Sequence, residues 1–86
     1  MNSIFWHNKA RKQIKRIPAE KREIIFSKID RLDSFPECTD LDISPLRNHR
    51  YDFRMRVGQY RVLFDHDNII KIIDIQEVKK RDERTY

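Results

Sequence analysis

The one glycine of this chain, Gly58, separates two runs in which apolar and other residues alternate. Tyr51, Phe53, Met55 and Val57 alternate with Asp52, Arg54 and Arg56. After Gly58-Gln59, Tyr60, Val62 and Phe64 alternate with Arg61, Leu63 and Asp65. Successive side chains of an extended chain point to opposite faces, so each run reads as a strand buried on one side. Gly58-Gln59 between them reads as a tight turn. A hairpin cannot bury its apolar face alone, so the rest of the chain must cover it.

The N-terminal part has the other period. Ser3-Ile4-Phe5-Trp6 suits a short first strand. Asn8 is placed to cap a helix in which Ala10, Ile14 and Ile17 recur at helical spacing. Pro18 fits the first turn of a second helix, where its missing N–H costs little. Ile25, Ile29 and Leu32 form the stripe of that helix, with Ile24 and Phe26 widening it. These segments predict a helical hairpin over about residues 8–33. Residues 35–48 read as turn and loop. Asp65-His66-Asp67-Asn68 reads as a second tight turn, and the β-branched stretch Ile69 to Ile75 as a central strand. The predicted class is α+β in the order β-α-α-β-β-β. A twisted antiparallel sheet would carry both helices on one face. The 86 residues leave room for a single domain, residues 1–86.

Charge narrows the function classes. Lys plus Arg number 19 against 14 for Asp plus Glu, a formal charge of +5. That balance favours a polyanionic partner, nucleic acid or an acidic protein face. No apolar run approaches the ~20 residues that span a bilayer, and the N-terminus lacks the apolar region of a signal peptide. Cys38 is the only cysteine. A cytoplasmic, reducing environment is therefore expected. Cys38 reads as a small filler, and Phe5 and Trp6 as core. His7, His49 and His66 are scattered, no Cys or His pair has metal-ligand spacing, and one glycine cannot build a phosphate-binding loop. Neither a metal nor a cofactor is expected.

The pleat predicts where chemistry would sit. If Tyr51, Phe53, Met55 and Val57 face the helices, Arg54 and Arg56 face away, and Arg61 joins them across the hairpin. Arg47 and Arg50 enter just before, and Lys79, Lys80, Arg81 and Arg84 leave just after the last strand. Guanidinium forks match phosphate, and gathering them costs repulsion unless an anion occupies the site. An anion site is the sharper reading of this cluster, and a solvated charged face the plainer one. Tyr86 at the end of the basic tail can stack on a base or exchange a proton through its hydroxyl.

The stretch Leu46-Arg47, then Tyr51-Asp52-Phe53-Arg54-Met55-Arg56-Val57-Gly58-Gln59-Tyr60-Arg61-Val62-Leu63-Phe64, resembles the RelE/ParE family of small toxins. Members commonly show Leu-(Lys or Arg)-Gly, then Tyr-Arg-x-Arg-x-Gly-x-Tyr-Arg, an Ile/Val-rich strand and a basic segment ending in Tyr. Asn48 stands where that pattern has its first glycine, and Asp52 where some members carry a lysine. The resemblance extends over nearly the whole chain. It implies a toxin of a toxin–antitoxin system, held inactive by a cognate antitoxin protein. In the RelE-like branch it implies an endoribonuclease that cuts messenger RNA in the A site of the small ribosomal subunit. The ParE-like branch implies a poison of DNA gyrase, and a non-enzymatic co-repressor module is a further alternative.

In the RelE-like reading, the 2′-OH of the RNA attacks the adjacent phosphorus and leaves a 2′,3′-cyclic phosphate and a 5′-OH. The resemblance assigns Arg61 and Arg81 to charge stabilisation, Arg54 to phosphate contact near the 2′-OH, and Tyr86 to base stacking. Arg47, Arg56, Lys79, Lys80 and Arg84 are the further expected RNA contacts. Arginine is a poor proton acceptor. The general base is left among Lys79, Lys80, Tyr86 and a ribosomal group.

Overall fold

In a computed structural model of the chain, the structure describes residues 1–80. The expected residues Arg81, Arg84 and Tyr86 lie outside them. The element order is β1 (Ser3–Trp6), α1 (Asn8–Ile14), α2 (Ala19–Asp30) running into a 3-10 turn (Arg31–Ser34), β2 (Ile43–Pro45), β3 (Phe53–Val57), β4 (Tyr60–Asp67) and β5 (Ile72–Lys80). The strands form one sheet in the order β1-β5-β4-β3-β2. Three of its pairings are antiparallel, and β1 joins β5 in parallel. The expected α+β arrangement is present with two corrections: one strand more, β2, forms within residues 35–48, which the sequence reads as loop, and the sheet is mixed rather than antiparallel because β1 pairs in parallel. β1 docks on the last strand, and β2 extends the sheet at its other edge. β2 is short and ends in Pro45, which an edge strand tolerates because one side of it needs no ladder bonds.

One face of the sheet is the core. Met55 and Val57 of β3, Val62 and Phe64 of β4, and Ile73, Ile75 and Val78 of β5 are buried against Ile25, Ile29 and Leu32. The alternation that predicted the hairpin is present: Met55 pairs with Val62 and Phe53 with Phe64. Gly58 turns at φ +59°, the left-handed region where a side chain is strained, although open space surrounds it. Asn48 also has positive φ, at 51°. It stands where the family pattern has glycine, and asparagine is the residue that tolerates that region next best.

Several local expectations shift. α1 is capped by His7 rather than Asn8, and no side chain bonds the cap. The second tight turn moves by three residues. Asp65, His66 and Asp67 remain in β4, and residues 68–71 make the turn. Asp67 Oδ1 accepts the N–H groups of Ile69 and Ile70, at 2.9 and 3.1 Å. Ile69 and Ile70 are therefore exposed at the tip, 91% and 62%, not buried in a central strand. Local hydrogen bonding by an aspartate outweighs the β preference of two isoleucines. Phe5 lies on the outer face and is half exposed, whereas Trp6 packs on Phe26 with ring centres 5.5 Å apart. Cys38 is buried in the core, as expected.

Candidate nucleic-acid interface

The pleat places a row of cations across three neighbouring strands on the face away from the core. Arg56 of β3 lies directly opposite Arg61 of β4, and Arg61 directly opposite Lys79 of β5. Facing Cβ atoms across such a ladder stand about 5 Å apart, close enough for like charges to repel. The adjacent row on the same face is Arg54, Leu63 and Glu77. Arg54 is half-buried, and its Nε is buried with no acceptor among the described residues. Arg56 and Lys79 are exposed and Arg61 is half-buried.

This face is less bare than the sequence predicts. Leu63, Tyr51 and Glu77 are buried on it, outside the main core. Tyr51 was expected to face the helices. It precedes β3 instead and swings to the opposite face, where its hydroxyl hydrogen-bonds Glu77. Burial, together with that bond, pushes the Tyr51 phenol above its ordinary value. Arg50 stacks on the Tyr51 ring with its guanidinium carbon 5.5 Å from the ring centre, which brings another cation to the same end of the face.

Glu77 is 3% exposed. Burial raises its carboxyl, but donors outweigh burial, and it is held below the ordinary glutamate range. Lys9 Nζ lies 3.2 Å from Oε1, Gln13 Nε2 3.3 Å and Lys79 Nζ 3.4 Å. Lys9 and Gln13 come from α1, which follows β1 along the free edge of β5. The backbone explains why it stays there. His7 N–H donates to the Ile75 carbonyl at 3.0 Å, and Val78 N–H to Gln13 Oε1 at 2.7 Å. A helix side chain thus completes the strand's hydrogen bonding where β1 ends.

The other end of the same face is acidic. Asp65 and Asp74 are opposite each other in β4 and β5. Asp65 accepts from Gln76 Nε2 at 2.9 Å and from the Asp52 N–H at 2.8 Å, and His7 Nε2 stands 3.5 Å from Asp74. Among the described residues, no group of three His, Cys, Asp or Glu side chains could hold a metal ion, and no helix is long and apolar enough to cross a membrane.

The structure thus brings Arg54, Arg56, Arg61 and Lys79 onto one face. Lys80 pairs with Tyr60, whose neighbours are core residues, and so lies on the helix side of the sheet. Arg47 sits in the exposed loop before β3. Lys9, Gln13, Tyr51 and Glu77 were not singled out from the sequence. Glu77 carried a faint signal, as an acid in the basic stretch that ends β5. Lys9 looked like any solvated lysine of a helix.

The fold of the chain is similar to that of solved structures. Neither a protein-family model nor a curated protein matches the chain. It is similar to the archaeal RelE–RelB complex of Pyrococcus horikoshii OT3, at 24% identity and a TM-score of 0.81, over 95% of this chain and 97% of that one. It is also similar to the RelBE2 toxin–antitoxin complex of Mycobacterium tuberculosis, at 22% identity and TM-score 0.77, over 93% and 91%. The isolated E. coli RelE toxin superposes with TM-score 0.78 at 14% identity, over 96% and 87%. The chain has the fold of the RelE toxins.

Proposed function

We propose that this chain is a RelE-type toxin of a toxin–antitoxin system, an endoribonuclease that cuts messenger RNA in the ribosomal A site. The observation that carries the reading is the cross-strand row Arg56–Arg61–Lys79, with Arg54 beside it, in the fold of the RelE toxins. Four of the similar solved structures are complexes of a RelE with its RelB or antitoxin partner, which supports a cognate antitoxin partner here.

The chemistry follows from the charges. Attack of the ribose 2′-OH on phosphorus puts negative charge on the non-bridging oxygens. Preorganised cations stabilise that charge more than they stabilise the ground state. Arg61 stands at the centre of the row and takes that role, with Arg81 as the partner expected from the tail. Arg54 and Arg56 hold the phosphate, Arg47, Lys79 and Arg84 contact neighbouring backbone, and Tyr86 stacks on a base; Lys80, on the helix side of the sheet, is not assigned to this contact. Glu77 is a poor candidate for the general base. It is buried away from substrate, and its donors favour the ionised form that binds a proton weakly.

The test is expression of the chain without an antitoxin, with growth, protein synthesis and 5′ ends of messages followed together. New 5′-OH ends within coding regions are the expected result. Arrest with a DNA-damage response and intact messages would instead identify a gyrase poison. Harmless expression would leave only a binding module. Arg61→Ala should reduce cleavage about 100-fold or more while the far-ultraviolet circular dichroism stays native.

A further inference from the structure

We propose that Glu77 is a positioning residue that gathers Lys79 from its own strand and Lys9 from α1, making Lys9 a phosphate-binding group at the basic end of the sheet face. The inference rests on the reading of that face as an RNA site.

The argument begins with repulsion. Arg56, Arg61 and Lys79 stand in one ladder row, where facing like charges oppose folding. Two flexible lysines in solvent would swing apart and leave the row. Here one carboxylate contacts both ammonium groups, Lys9 at 3.2 Å and Lys79 at 3.4 Å. Glu77 is itself held on several sides. It is 3% exposed, it accepts from Gln13, and its bond to Tyr51 fixes it from the other side. Meanwhile the Lys9 and Lys79 side chains remain 61% and 51% exposed. Their ammonium groups are thus anchored on one side and open to an incoming phosphate on the other. An ammonium has three donors, so contact with Glu77 does not consume its capacity.

Gln13 matters to the same device. Its Oε1 takes the Val78 N–H and its Nε2 reaches Glu77, so α1 is registered against β5 by one side chain with both ends used. Lys9 lies one helical turn before Gln13 and is thereby aimed at the same carboxylate. Lys9 thus contributes to the sheet's charged face although it belongs to a helix.

Simple field arithmetic and positioning predict opposite signs, which makes the idea testable. If Glu77 acted only as a negative charge near a polyanion, Glu77→Gln would tighten RNA binding. If it acts as the anchor for Lys9 and Lys79, the same change should weaken it. The measurement uses the purified full chain, a short labelled single-stranded RNA for binding, and message cleavage in a cell-free translation reaction. Lys9→Ala should weaken RNA binding about three- to fivefold, the scale of one exposed ion pair, with native far-ultraviolet circular dichroism and a small loss of Tm from the pair with Glu77. It should also lower the salt dependence by about 0.7 in log–log slope. Glu77→Gln should weaken binding as well, and Lys9→Ala added to it should cost little more. Lys9→Arg should restore binding.

If Glu77→Gln fails to fold, Lys9→Ala and Lys9→Arg decide alone. Wild-type binding and cleavage in Lys9→Ala, or tighter binding in Glu77→Gln, would overturn the proposal while leaving the nuclease reading in place. A wild-type chain that neither binds RNA nor cuts messages would overturn both.

Discussion

The two ends of one sheet face solve the same problem in different ways. At one end Arg61 faces Lys79 and Arg56 across the ladder; at the other Asp65 faces Asp74. Both are like-charge pairings that a sheet disfavours. At the acidic end the Asp52 N–H and Gln76 donate to Asp65, and His7 Nε2 stands 3.5 Å from Asp74. At the basic end Arg54, Arg56, Arg61 and Lys79 lie in adjacent ladder rows, and one carboxylate, Glu77, contacts Lys79 and Lys9. The acidic end keeps its negative charge under hydrogen bonds from neutral groups, whereas the basic end sets several cations on neighbouring strands, where a phosphate chain would be attracted. The difference shows that a charged residue on an exposed strand face signals a polyanionic partner only when the charge its neighbours leave over is positive.

The largest effect should come from removing what both ends share. Phe64 is fully buried under the sheet, and Phe64→Ala should cost about 3–5 kcal/mol in urea unfolding, lowering RNA binding and fold together. Next comes the loss of cleavage in Arg61→Ala, which should leave that unfolding curve nearly unmoved and so separate the site from the scaffold. Charge reversal at Arg56, as Arg56→Glu, should weaken RNA binding about tenfold at low salt and much less at high salt, where exposed charges are screened. Equal loss at both ionic strengths would mean that the arginine acts through packing.

A smaller effect, in stability, should separate the ends by pH. The Glu77 carboxyl is depressed by its donors, so its stabilisation is present above the ordinary glutamate value of about 4.5 and is lost as pH falls through the depressed one. The Tm difference between wild type and Glu77→Gln should be largest near neutrality and shrink in acid below that value. A difference independent of pH would show that the charge of Glu77 contributes nothing. The smallest expected effect lies at the acidic end. Asp65→Asn keeps one oxygen acceptor and should change RNA binding by less than about twofold, close to the effect of a distant surface charge.

Much of this was legible in the chain because strand pleating is local. Two-residue alternation about Gly58 is enough to place Arg54, Arg56 and Arg61 on one side and Met55, Val57, Val62 and Phe64 on the other. Helical spacing likewise identifies Ile25, Ile29 and Leu32 as core. Where the reading failed, a non-local or competing contact decided. Tyr51 fits the alternation by position, yet it leaves the ladder and crosses to Glu77, 26 residues further on. Ile69 and Ile70 look like strand residues until Asp67 closes a turn beneath them.

Patterns that repeat within a few residues, the hairpin and its sided arginines, were decided by the sequence itself, because backbone geometry converts spacing directly into direction. The meeting of Lys9, Gln13, Tyr51, Lys79 and Glu77 belongs to the tertiary structure. Three separate segments come together there only because β1 pairs in parallel with the last strand and carries α1 along its edge. No spacing records such a contact, since the energy that holds it comes from burial and hydrogen bonding between parts of the chain that are distant in sequence.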